Sequence, residues 1–215
     1  MWLKLLVIGI VLALFALAIR AVIRANRPAA RPAPQREAPS LDEQLDLLAE
    51  AGLTLSPGVT RTDLTDFGPE ETYRHDPWRL LLLTFAIRID RPPHTPFCPR
   101  ACLLQRDALD TPEALAAALR DLARAAGVDD RLHVTTTTDR LSYRLGDTAR
   151  DISPDTATDD ILHALLDDIA AALPAGRHLA FLDHDPQVAV FCLSAQGHTL
   201  IDTAAPGLLL RTPPL

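Results

Sequence analysis

The segment around residues 177–187 carries the side chains best suited to chemistry. Asp183, His184 and Asp185 are consecutive, and His178 lies a few positions before them. Imidazole and carboxylate groups are ligands that transition metals accept, so these four residues could hold a metal ion. The same segment also suits a hairpin turn, because Asp followed by Asp-Pro is a preferred turn sequence. We favour the turn, and the four residues remain weak metal candidates.

The three cysteines are the second set with possible chemistry. Cys98 and Cys102 could form half of a zinc site, but no second Cys/His pair at a fixed spacing accompanies them, so a pair of loop thiols is favoured. An oxidising compartment would permit a Cys98–Cys102 disulfide and leave Cys192 over, whereas a reducing compartment requires no pairing. The odd count favours the cytoplasm.

A third set lies on one predicted helix, where His163 and Asp167 are one turn apart and Asp168 follows. This spacing can hold a metal or a proton-transfer pair, but on an exposed face it is usually a weak ion pair. The chain contains no G-x-S-x-G, P-loop or G-x-G-x-x-G sequence. We therefore predict no catalytic residue, no cofactor and no metal, and an enzyme with an unrecognised site is the minor alternative.

The elements that would position these residues indicate an α+β fold. Ser40 and Glu43 form a capping box that predicts a helix over 41–51, and Thr60 with Asp63 predicts a short second helix. Further helices are expected at 70–75, from Asp76-Pro77 to Ile89, and from Thr111-Pro112 to Gly127. Residues 91–99 interrupt the series with four prolines. The half at 41–127 is thus predicted to be mainly helical.

The second half, 128–215, is predicted to be an antiparallel sheet plus one helix. Alternating apolar residues predict a meander over 132–152, and a helix is expected at 158–173. A hairpin then follows, with strands 177–182 and 188–193 around a turn at 183–187. A last short strand is predicted at 198–201, and the apolar tail 208–210 either docks or frays.

An apolar run precedes this domain. Leu5–Ile19 contains no charge and would extend about 22 Å as a helix, while extension to residues 1–23 would cross a hydrocarbon core of about 30 Å. Residues 1–25 are therefore predicted to be a single-pass transmembrane anchor, and the proline-rich residues 26–40 a linker to the domain at 41–215. A cleaved signal peptide ending at Ala16-Leu17-Ala18 is the alternative.

The charges divide sharply between these parts. Residues 1–40 contain six basic residues and one acidic residue, whereas residues 41–215 contain 15 basic and 27 acidic ones. Because arginines follow the apolar run, the positive-inside rule places the domain in the cytoplasm, with the periplasmic side as the alternative. The acidic domain argues against a nucleic-acid partner and suits a protein partner, while the arginines suit anionic lipid.

Several segments resemble a set of small bacterial α+β proteins of unassigned function. The resemblance covers about Leu41–Leu193 and rests on LDEQLDLLAEAGLTLSPGVTRTDL with its L-x-L-x-P-G-V-T turn, then DPWRLLL, LSYRL and GRHLAFLDHDPQVAVFCL. These proteins are similar to the immunity proteins that accompany secreted bacterial toxins. The resemblance implies a helix, turn, helix, meander and hairpin. The anchor and the Arg-rich spacer depart from the soluble pattern of these proteins, which argues against a cytosolic partner, and we expect the anchor to lie in the bacterial inner membrane.

Together these observations predict a membrane-tethered, non-enzymatic protein-binding domain, of the immunity type. An accessory or structural subunit of a bacterial membrane complex is the principal alternative. The identity of the partner, the membrane topology, leader cleavage and the oligomeric state stay open at this point.

Overall fold

The computed structural model describes residues 38–153 and 158–214. The predicted anchor, and the predicted linker up to residue 37, lie outside these residues. Within the described residues, no helix combines the length and the apolar character needed to cross a bilayer.

The described chain is an α+β fold with seven α-helices and two antiparallel three-stranded sheets. The helices, in chain order, are α1 Leu41–Glu50, α2 Arg61–Phe67, α3 Glu70–His75, α4 Arg79–Ala86, α5 Pro112–Ala126, α6 Thr158–Ala172 and α7 Ala195–Ala204. The strands are β1 Ala101–Gln105, β2 Leu132–Thr136, β3 Leu141–Leu145, β4 Thr148–Ile152, β5 Arg177–His184 and β6 Gln187–Ser194. The α+β prediction is confirmed at this level.

The central sheet has the order β1-β6-β5, and its two faces cover separate cores. Strand residues alternate between faces. Phe181 and Val190 therefore point into one core with α5, α6 and the small sheet β2-β3-β4. Ala180 and Phe191 point into the other core, with the helical layer α1–α4 and α7. β6 lies between two strands, and its residues from Val188 to Leu193 are fully buried, as a central strand requires.

Local signals account for most helix boundaries. Ser40 and Thr60 each form the predicted capping box, with Glu43 and Asp63 respectively. α5 begins after Thr111, whose hydroxyl accepts from the Ala114 N–H, and it ends at Gly127 in the left-handed conformation. The meander, the helix after it and the C-terminal hairpin also lie where they were predicted.

The strand β1 was not predicted, and it changes the organisation of the fold. It lies inside the half expected to be mainly helical, and it pairs with β6 from the distant end of the chain, Ala101 opposite Phe191. The strands accordingly form two sheets. Cys102 lies on this strand and not in a loop, and Cys98, Cys102 and Cys192 are all buried and unpaired.

Three boundaries differ from the prediction. The segment predicted as a last strand at 198–201 belongs to the helix α7, because Ser194 caps it by accepting from the Gly197 N–H at 3.0 Å. The helix expected from Asp76 to Ile89 is shorter, since Trp78 has a φ of 69° and helical geometry starts at Arg79. The hairpin turn is also shorter than predicted, because Asp183 and His184 still pair within the sheet.

The C-terminal tail docks on the sheet. Leu209 is buried, and Leu210 exchanges two backbone hydrogen bonds with Phe181, at 2.7 and 2.9 Å. The tail therefore pairs with the outer edge of β5 at one residue.

Candidate functional site

The predicted metal candidates do not come together. His178 lies at the first end of β5, opposite Leu193, whereas Asp183 and His184 lie at the other end, opposite Val188 and Gln187. The carboxylate of Asp185 pairs with Arg106 at 2.7 Å. Across the described residues, no group of three or more potential metal ligands is assembled.

His178 instead faces a residue that the sequence reasoning missed. The ring centroids of His178 and His198 are 5.3 Å apart, and the buried Nε2 atom of each ring has no hydrogen-bond partner among the described residues. Burial lowers the pKa of both histidines, and nearby Arg211 lowers both further. Both rings are thus kept neutral near pH 7.

The helix bearing His163 also gives a different pairing from the one considered. His163 Nδ1 lies 2.8 Å from the Asp159 carbonyl oxygen. Asp168 turns inward, where its carboxylate accepts from the Tyr143 hydroxyl at 2.7 Å and from Nη2 of Arg150 at 2.8 Å. The hydrogen bonds from Arg150 lower the pKa of Asp168, although burial opposes this shift. Burial raises the pKa of Tyr143.

This Asp168 cluster is saturated with hydrogen bonds, so it ties α6 to the small sheet and offers no free group for proton transfer. A signal for it exists in the sequence. Asp168 follows the apolar positions Leu165 and Leu166 on the inward face of the helix, where a polar residue needs a partner.

An apolar groove lies beside α4. Four consecutive leucines, Leu80–Leu83, necessarily point in all directions around a helix. The side chains of Leu81 and Leu82 in α4 are fully buried, whereas those of Leu80 and Leu83 are only partly buried. A sequence that is apolar all round a helix is the signal that could have predicted an apolar outer face.

Four segments line this groove, which we call the α4 groove. They are the end of α2 with Phe67, the helix α4 with the residue that follows it, the strand β1 and the C-terminal hairpin. The volume is about 200 Å³. The lining residues are Phe67, Leu80, Leu83, Thr84, Ile87, Leu103, His184 and Gln187.

Phe67 is the most exposed large apolar side chain of the described residues. It is 56% exposed, and its ring packs edge-on against Phe97 with centroids 6.1 Å apart. On its far side lies a charged cleft of about 410 Å³, which contains Asp63, Arg88 and Arg91. Phe67 therefore separates an apolar surface from a charged one.

Three of the five charged side chains that line this cleft are paired within the protein. The Asp63 carboxylate accepts from the Thr60 N–H at 2.7 Å and forms an ion pair with Arg91 at 2.5 Å. The Thr60 hydrogen bonds, and then Arg91, hold the pKa of Asp63 below its usual value. Arg88 pairs with Asp121 on α5. The two other carboxylates of the cleft form no ion pair among the described residues, so the cleft presents a polar rim that is only partly engaged.

In comparisons with protein-family models, with curated proteins and with solved structures, no significant match to this chain was found.

Proposed function

We propose that this chain is a membrane-tethered, non-enzymatic protein-binding protein of the immunity type, whose domain docks a protein partner at the α4 groove. The observation that carries the proposal is the exposed Phe67 ring beside the apolar lining of Leu80, Leu83, Ile87 and Leu103.

The composition of this surface supports protein docking. Protein interfaces concentrate their binding energy in a few aromatic and apolar anchors that a polar rim surrounds. Phe67 and the leucines would form the anchors, and the engaged charges beside Phe67 would form the rim. Full burial of an exposed phenylalanine side chain contributes about 1.5–3 kcal/mol, and because Phe67 is 56% exposed, its burial by a partner would contribute roughly half of that.

Three ionised groups near the groove are engaged within the protein, which suits binding better than catalysis. Asp63, Arg88 and Arg91 already have partners in this protein. A catalytic site usually brings together several ionisable groups around a reacting position, with at least one free to exchange a proton. Docking through apolar contact needs no such free group.

The membrane part of the proposal comes from the sequence. The uncharged run Leu5–Ile19 would anchor the chain in the lipid bilayer, and the arginines after it favour a cytoplasmic domain at the bacterial inner membrane. The domain would hold no cofactor and bind no nucleic acid, since residues 41–215 carry a strong excess of acidic residues.

The docking surface is tested by crosslinking the full chain in its own cells, with a photo-reactive phenylalanine analogue at Phe67. We expect one specific protein adduct, which is lost when Leu83→Ser is added. Leu210 is the matched control, because it is the other large apolar residue that is exposed within the described part of the chain, at 37%, and it lies outside the groove. Equal adducts from positions 67 and 210, or none from position 67, would refute docking at the groove.

The anchor is tested separately. The full chain should stay with membranes after alkaline carbonate extraction, and deletion of residues 1–25 should release it. Recovery of a mature protein that begins after Ala18 and is freely soluble would refute the tether.

A further inference from the structure

The central sheet has two outer edges, β5 and β1. The tail pairs with β5 at one outward residue, through the two Phe181–Leu210 backbone hydrogen bonds. The opposite edge belongs to β1.

The alternation of hydrogen bonds along β1 identifies which of its backbone N–H and C=O groups point away from the sheet. The Arg100 carbonyl oxygen accepts from the Cys192 N–H at 3.0 Å, and the Arg106 N–H donates to the Pro186 carbonyl oxygen at 3.2 Å. Bonded residues alternate in an antiparallel pair, so even-numbered residues bond to β6. The N–H and C=O groups of Ala101, Leu103 and Gln105 therefore point away from the sheet.

The two ends of this edge differ. The Ala101 carbonyl oxygen accepts from Nη2 of Arg124 at 3.0 Å, and its N–H donates to the Cys98 carbonyl oxygen at 3.4 Å. In contrast, no backbone hydrogen bond from any described residue reaches the outward groups of Leu103 and Gln105. The open part of the edge is thus the stretch 103–105.

This stretch lacks the usual protection of an edge strand. Edge strands commonly carry charged residues, proline or a bulge, which discourage pairing with another chain. The sequence ACLLQ of β1 has no charge and no proline, and its register with β6 is continuous over all five residues. The outer strand β4, TARDI, carries two charged residues by comparison.

The open stretch also borders the α4 groove, since the Leu103 side chain lines it. We propose that the partner supplies an extended segment that adds to β1 as a fourth strand, pairs with Leu103 and Gln105, and places an apolar side chain in the α4 groove. This inference rests on the proposed function and narrows the partner to one that presents an extended, partly apolar peptide. The backbone pairing is short, so the groove contact supplies much of the affinity.

The test uses random peptides displayed on phage and selected on the full chain in detergent micelles. Selected peptides should lose affinity about tenfold or more with Leu103→Pro relative to Leu103→Ala, because both changes remove the leucine side chain that lines the groove and only proline also removes the outward N–H, which does not bond to β6. Methylation of every second backbone N–H of the peptide, those that would face β1, should also reduce the affinity. Methylation of the intervening N–H groups should not. Peptide methylation leaves the protein unchanged, so it tests the pairing even if Leu103→Pro fails to fold.

The outcomes separate the two proposals. Peptides that depend on Phe67 but tolerate Leu103→Pro and show no alternation on methylation would overturn strand addition and leave docking at the groove. An absence of any peptide that depends on Phe67 would overturn both. A dimer of this chain that Leu103→Pro dissociates would assign the edge to a second copy and overturn the partner peptide.

Discussion

The two layers that flank the central sheet are held in place by different kinds of polar contact. In the layer of α5, α6 and the small sheet, the contact is charged, since Asp168 bonds to Arg150 and Tyr143. In the helical layer, which also contains the Asp63–Arg91 ion pair, a second buried contact is neutral. The buried Gln44 amide donates to the Tyr73 carbonyl oxygen at 3.0 Å, and its oxygen accepts from the Trp78 N–H at 2.9 Å.

One contact is neutral and the other is charged because they satisfy different hydrogen-bonding groups. Gln44 serves backbone groups at the irregular junction of α3 and α4, where Trp78 has a positive φ, and an amide can both donate and accept there. Asp168 serves two side-chain donors from adjacent strands, since Tyr143 and Arg150 are directly opposite in register. The free energy of unfolding should therefore respond differently to pH when the Gln44 contact is removed and when the Asp168 contact is removed.

The largest expected effect is in the helical layer, where α7 meets α1. A Cβ added at Gly197 would lie 2.2 Å from the Ala51 carbonyl oxygen, which is backbone and cannot move aside cheaply. Gly197→Ala should lower the free energy of unfolding by about 3 kcal/mol or more, measured by urea denaturation. The exposed neighbour Gln196→Ala is the control and should change little. A nearly neutral Gly197→Ala would contradict this close packing.

The next effect tests the neutral contact. Gln44→Leu should lower the free energy of unfolding by about 2–3 kcal/mol, because it leaves the Trp78 N–H and the Tyr73 carbonyl oxygen without partners in a buried site. Asp46→Ala on the exposed face of the same helix serves as the control. The loss should be the same at pH 7 and pH 4.5, because no charge is involved, and a pH-dependent loss would show that the amide is not the cause.

The charged contact should give a smaller effect that depends on pH. Asp168→Asn should destabilise by about 2 kcal/mol at neutral pH, since hydrogen bonds to an ionised carboxylate are lost. The folded pKa of Asp168 is below its unfolded value, so its contribution is present above the unfolded pKa and disappears as the pH falls through the folded one. Asp167→Asn, exposed and adjacent, is the control. An equal loss of stability in both variants would show that the Asp168 contact does not stabilise the fold.

The smallest expected effect is a loss of stability in mild acid that arises at the His178–His198 pair. Their folded pKa values are below the unfolded value near 6.5, so unfolding takes up protons and stability falls as the pH drops from about 6.5 through the folded values. Urea midpoints at pH 7 and pH 5 measure the loss. His198→Gln should reduce this pH dependence, whereas His184→Gln, an exposed histidine, should not. An unchanged slope in His198→Gln would refute the assignment.

The two layers also differ in how far the sequence predicted them. In the layer of α5 and α6, the helix at 112–126, the meander and the helix at 158–172 follow from caps and periodicity. The helical layer was less predictable beyond the capping boxes of α1 and α2, because its remaining junctions depend on contacts such as that of Gln44 with Trp78. The segment at 198–201 was predicted as a strand because its β-branched residues suit one, but the Ser194 cap and the burial of His198 and Ile201 favour a helix.

The candidate site was predictable only in its parts. Four consecutive leucines indicate an apolar outer face on α4, but they do not show which segments meet it. Phe67 and Leu103 are distant in the chain, and the groove exists only because α2, α4 and β1 meet in the folded protein.

By itself, the sequence determined the α+β class, most helices and the hairpin, because caps, turn residues and apolar periodicity act within a few residues of one another. Only the tertiary structure decided that residues 101–105 form a strand, that His178 faces His198, and that the C-terminal tail pairs with the central sheet at Phe181. These features depend on pairings between segments far apart in the chain, and such pairings leave no local pattern.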